Sequence, residues 1–109
     1  DDDLNELKKY LKKVYEKAKS VSEKLKAEIY IVYLPEFHRY NEKNYKSIIE
    51  KKELKEIVEL AGIKFIDMDQ ILFSKNQDPV AFFPYRQKGH YTPHGYKEVS
   101  KKLFEYFYN

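Results

Sequence analysis

Leu4, Leu7, Leu11, Val14, Ala18, Val21 and Leu25 follow one another at alternating steps of three and four. That spacing predicts one long amphipathic helix over residues 3–26. It also fits a coiled-coil seam of three heptads. Val14 and Ala18 interrupt the leucines and no sustained charge pattern flanks the line, so packing on a sheet is the favoured reading. The run Ile29-Tyr30-Ile31-Val32-Tyr33-Leu34 is apolar almost throughout and ends at Pro35, as a buried parallel strand would. Residues 36–43 form a polar, aromatic loop at its C-terminal end. Ile48, Ile49, Leu54, Ile57 and Val58 then predict a helix over residues 45–61, with a polar middle at 50–53 where it could bend or split. Gly62 is a natural stop. Residues 63–68 form a second strand, and strand, helix and strand at this length make a right-handed crossover unit. Residues 74–91 read as irregular, with a brief strand open at 80–83. Phe82, Phe83 and Tyr85 around Pro84 serve there as plugs that pin the loop. Tyr96, Val99, Leu103 and Phe107 recur at helical spacing and close the chain. The expected class is α/β with parallel strands, in the order α-β-α-β-loop-α.

Composition narrows the picture. At 109 residues the chain is one domain at most, and small for a three-layer enzyme. Charged residues at 36% beside aromatics at 17% mark a globular chain, because disordered chains lack the aromatics. Without cysteine there is no disulfide framework and no thiol chemistry, and the compartment stays open. No apolar run is long enough for a membrane span, and no signal peptide is legible. Net charge is +3 and arginine occurs only at Arg39 and Arg86, which speaks against a nucleic-acid face. No motif calls for a cofactor.

Candidate chemistry concentrates in Gly89-His90-Tyr91-Thr92-Pro93-His94-Gly95-Tyr96. Thr92 can cap the last helix and Pro93 suits its first turn. His90 then sits just outside a rigid element, fixed yet exposed, where an imidazole can act as a general base. His94, inside the first turn, reads as structural or solvent-facing. The four-residue spacing of His90 and His94 resembles a zinc pair, but Pro93 breaks helical continuity and no Glu follows the first His, so no metal is expected. Asp67 and Asp69 lie at the C-terminal end of the second strand, where ligands gather in open α/β sheets. They admit a ligand role and a capping role, with capping favoured. Glu36 and His38 share that edge as cleft or ordinary loop residues.

The block from His90 through Thr92, Pro93, Gly95 and Tyr96, followed by Glu98-Val99-Ser100-Lys101-Lys102-Leu103, resembles the last conserved block of the SGNH/GDSL hydrolase superfamily. Ile31-Val32-Tyr33-Leu34-Pro35 and Gly62-Ile63-Lys64-Phe65-Ile66-Asp67 resemble its late strands. The likeness covers roughly the C-terminal half of such a domain and implies a partial three-layer αβα (flavodoxin-like/SGNH) fold. It also implies a serine ester hydrolase or O-acyltransferase, esterase- or lipase-like, in which His90 is the catalytic base and acyl esters of carbohydrate or lipid are substrates. The family's Gly-Asp-Ser nucleophile block and its oxyanion Gly and Asn blocks are not in this sequence. Ser20, Ser22, Ser47, Ser74 and Ser100 all lie in helical or Lys-rich contexts. Where the family places an acid before its histidine, this chain has Gln87 and Lys88. Gln87, Asp67 or Asp69 would have to support the base. The expectation is therefore the C-terminal part of an enzyme, inactive alone. The alternative is a small non-catalytic α/β binding or assembly module. Two buried-type strands with few neighbours also lead to an expectation of self-association.

Overall fold

The computed structural model describes residues 2–108. Its elements are α1 (Asp2–Lys24), β1 (Tyr30–Tyr33), a short α2 (His38–Asn41), α3 (Lys51–Leu60), β2 (Lys64–Asp67) and α4 (Pro93–Tyr108). A π-helical turn (Asp69–Phe73) and two 3-10 turns (Pro79–Phe82 and Pro84–Arg86) lie between β2 and α4. This is a mixed α/β chain with a two-stranded parallel sheet, in the expected element order except that α2 is set into the stretch read as a loop at 36–43. A three-layer αβα architecture is not formed. Two four-residue strands offer no face wide enough for a helical layer on each side. Of residues 80–83, the remaining candidate strand, 80–82 are drawn into 3-10 geometry after Pro79 and only Phe83 stays extended before Pro84, each proline in the first turn of its own helix.

The chain divides into two compact units. The first runs through Val32 and resumes at Lys46–Ile66; the second comprises Tyr33–Tyr45 and everything from Asp67 onward. At the last residue of each strand the chain passes from the first unit into the second.

In the first unit α1 lies against α3, and Lys8 pairs with Glu53 between them. The buried apolar residues here are Val58, Ile63 and Ile66. Helix α3 begins at Lys51, later than the periodicity predicts. The hydroxyl of Ser47 donates to the Ile49 carbonyl (2.6 Å) and Glu50 is extended (φ −61°, ψ 141°), so Ile48 and Ile49 precede the helix instead of joining it. Its end is the predicted glycine stop. Gly62 is left-handed (φ 83°), its N–H donates to the Glu59 carbonyl, and the Ile63 N–H reaches back to Val58. Buried Val58 and Ile63 supply the apolar pair of that motif.

The second unit holds an aromatic core. Phe73 is fully buried and touches Phe82 (5.0 Å between ring centroids), Tyr91 (5.0 Å) and Phe83 (6.2 Å), while Phe37 meets Phe83 edge-on at 5.4 Å. These edge-on and tilted pairings are the favoured aromatic geometries. Phe82 and Phe83 thus plug the core as expected, whereas Tyr85 is 93% exposed. The loop is tied to α4 by a 2.7 Å bond from the Thr92 N–H to the Phe82 carbonyl.

Candidate functional site

The candidate residues sit in the second unit, on segments that leave the C-terminal ends of β1 and β2 and on the loop before α4. Helix α4 starts as the sequence implies: Thr92 Oγ1 accepts the Gly95 N–H at 2.9 Å and Pro93 opens the first turn. Gly95 is required there by close approach. A Cβ at that position would lie 2.9 Å from the Phe82 carbonyl oxygen and 3.0 Å from the Tyr91 Cβ. Tyr91 is buried and donates its hydroxyl proton to the Pro35 carbonyl (2.5 Å); burial, with its aromatic neighbours, pushes its pKa well above the ordinary phenol value. His90 is therefore followed immediately by an anchored residue.

His90 itself is exposed, and its Nδ1 lies 2.9 Å from the Tyr91 carbonyl oxygen. A carbonyl can only accept, so Nδ1 carries a proton, and in the neutral ring Nε2 then keeps its lone pair. The ring lies nearly parallel to Tyr96 (6.5 Å between centroids, 21°). None of the three supporting groups proposed from sequence meets it. Gln87 is exposed, with its backbone N–H on the Pro84 carbonyl. Asp67 ends β2 and accepts the Gln70 N–H at 3.1 Å, the capping role favoured from sequence. Asp69 is buried in the π-helical turn and belongs to another cluster.

That cluster was not visible in the sequence. Asp69 accepts the hydroxyl protons of Tyr40 (2.5 Å) and Ser74 (2.6 Å), and Arg39 Nη1 lies 4.0 Å from its second oxygen. Arg39 lies over the rings of Tyr33 (5.5 Å) and Tyr45 (5.0 Å) and donates to the Tyr33 hydroxyl at 2.8 Å. Burial lowers the guanidinium pKa, but the Tyr33 bond and the neighbouring Asp69 outweigh it and the net shift is upward. Burial and the bond to Asp69 likewise drive the Tyr40 phenol far up. Tyr45 donates to Glu36 (2.6 Å) and is pushed up to about 12, by burial first and then by that bond. The π turn accounts for Ser74: its N–H bonds five residues back to the Asp69 carbonyl (2.8 Å), which swings its hydroxyl onto the Asp69 carboxylate. Chemically the cluster ties the segment after β1 to the turn after β2. Ser74 spends its proton on a carboxylate with no imidazole beside it, which is not the arrangement of an activated nucleophile. The one hint in the sequence was an arginine among aromatics at Phe37-His38-Arg39-Tyr40.

His38 Nδ1 lies 3.1 Å from Glu42, off the line of a hydrogen bond. His94 lies over the Phe82 ring at 5.9 Å with Nε2 4.0 Å from Glu98 and is largely exposed, the solvent-facing one of the two roles read from sequence. Among the described residues no three His, Asp or Glu side chains converge to hold a metal, and no helix is long and apolar enough to cross a membrane. Compared with known protein families, curated proteins and solved structures, the chain matches none.

Proposed function

We propose that this chain carries the general base of an SGNH-like serine ester hydrolase or O-acyltransferase. It would correspond to the C-terminal part of such a domain, with β1 and β2 as late strands of a three-layer αβα sheet. The observation that supports the reading is the Nδ1 contact of His90 with the Tyr91 carbonyl, which selects, in the neutral ring, the tautomer with its lone pair on Nε2, on an exposed loop.

In the reaction, Nε2 takes the proton of a serine hydroxyl as its oxygen attacks the ester carbonyl carbon. The imidazolium then returns that proton to the leaving alcohol as the acyl-enzyme forms. Water, or a second alcohol in a transferase, takes the acyl group in the second half. The serine and the oxyanion donors come from outside this sequence. Substrates are acyl esters of carbohydrate or lipid. The Tyr91 carbonyl does what an acid does for orientation and tautomer, but it brings no charge to the imidazolium. In a serine protease, replacing the acid by a neutral amide that imposes the wrong tautomer lowers kcat about 10⁴-fold. Here the tautomer is right and the charge is missing, so the loss is smaller.

The test compares two proteins on p-nitrophenyl acetate: the 109-residue chain, and the same chain extended by an upstream segment bearing a Gly-Asp-Ser turn. The first should show background hydrolysis only. The second should be active and lose most of its rate with His90→Ala but little with His94→Ala. Saturable hydrolysis by the shorter chain, abolished by changing one of its own serines, would overturn the reading. So would an active extended chain indifferent to His90→Ala.

A further inference from the structure

Helix α1 divides its apolar residues between two lines. Leu4, Leu11 and Ala18 are half-buried, while Leu7, Val14 and Val21 point outward at 38%, 59% and 42% exposure, joined by Tyr10 at 58%. The steps from Leu7 to Tyr10 and Val14 are three and four, and Asp3, Lys17 and Lys24 continue them in both directions. The exposed edge thus has a 3.5-residue repeat of its own, the period that keeps one stripe facing a partner helix.

We propose that this stripe docks against the same stripe of a second copy of the chain, antiparallel, with the two-fold axis at Val14. The apolar positions are symmetric about that point: Val14 meets the partner's Val14, and Leu7 meets the partner's Val21. Charge fixes the direction. A parallel pair would set Lys17 on Lys17, Lys24 on Lys24 and Asp3 on Asp3. The antiparallel pair brings the acidic first turn, Asp2 and Asp3, to the partner's Lys24 and lays the partner's Lys17 along the Tyr10 ring. Antiparallel helix dipoles favour the same sense. Such an isologous contact is closed and makes a dimer, not a fibre. It is independent of the chemistry at His90.

The chain has no cysteine, so a single introduced thiol reports its own neighbour. Val14→Cys should oxidise to a disulfide-linked dimer much faster than Leu7→Cys. In the proposed register two Leu7 positions are about 21 Å apart at 1.5 Å per residue, against the roughly 4–7 Å between Cα atoms that a disulfide spans. Mixing Leu7→Cys with Val21→Cys should restore fast cross-linking. In sedimentation the unmodified chain should approach twice 13.2 kDa as concentration rises, and Val14→Lys should return it to one chain with an unchanged far-ultraviolet circular dichroism spectrum. A chain that stays monomeric at every reachable concentration overturns the proposal. So does efficient Leu7→Cys self-cross-linking, which marks a parallel pair, or a dimer that survives Val14→Lys and is lost with Phe104→Lys on α4.

Discussion

The two units of this chain bury very different cores with similar numbers of residues. The second has an aromatic core: Phe37, Met68, Leu72, Phe73, Phe82, Phe83, Tyr91 and Val99 are all buried. The first buries Val58, Ile63 and Ile66 and leaves Leu7, Val14, Val21, Leu25, Ile48 and Leu60 in contact with solvent. Packing therefore fixes the segments that carry the candidate residues, since His90 precedes buried Tyr91 and its loop is plugged by Phe82 and Phe83. Apolar surface is left exposed on both units, along α1 in the first and along α4, at Phe104, Tyr106, Phe107 and Tyr108, in the second. Of the two, the surface on α1 is the mainly aliphatic one, where association would use it.

That contrast is most exposed to refutation at the two fully buried centres. Phe73→Ala should destabilise the chain by about 3–5 kcal/mol, because four rings lose their common partner. Val58→Ala removes two buried carbons and should cost about 2–3 kcal/mol, from ~0.8 kcal/mol per carbon with a cavity term added. Urea denaturation of both variants decides it; equal losses would erase the difference between the cores. Next comes Gly95→Ala, which forces a methyl onto the Phe82 carbonyl and should cost about 1–3 kcal/mol in the same assay. Wild-type stability there would mean the loop yields and does not hold His90. Thr92→Ala should cost ~1 kcal/mol through the lost cap, with Thr92→Ser largely preserving it.

The smallest effect is a pH dependence confined to the second unit. Tyr45 has its pKa raised from 10.0 to about 12, first by burial and then by its bond to Glu36, so folding favours its neutral form. Its contribution is fully present below pH 10 and is lost as pH rises through about 12. The denaturation midpoint should fall across that window, and fall less in Tyr45→Phe. An identical fall in both proteins would assign the alkaline transition elsewhere.

How much of this was legible follows the range of each interaction. Thr92, Pro93, Gly62 and the cap at Asp67 are local devices whose partners lie within four residues, and the sequence reveals them directly. The start of α3 was misread because Ile48 and Ile49 continue a helical period while the Ser47 hydroxyl holds the backbone in a turn. The brief strand at 80–83 did not form because a short apolar run competed with two flanking prolines. Beyond an arginine set among aromatics, nothing announced the Asp69 cluster: Tyr40 and Asp69 are 29 residues apart, and Ser74 arrives through a five-residue π bond outside the common periodicities. Asp69 therefore read as an edge carboxylate beside a base, when it accepts from two hydroxyls and faces a guanidinium.

Nitrogen-15 spectra of the histidine rings test the central claim most directly, with His38 and His94 variants assigning the His90 signals. At a pH where the ring is neutral, the expected result is a protonated Nδ1 and an unprotonated Nε2, the tautomer that the Tyr91 carbonyl imposes and a base requires. An imidazole protonated at Nε2 would contradict it, because the lone pair would then face the carbonyl and His90 could accept no proton from a serine on its exposed side.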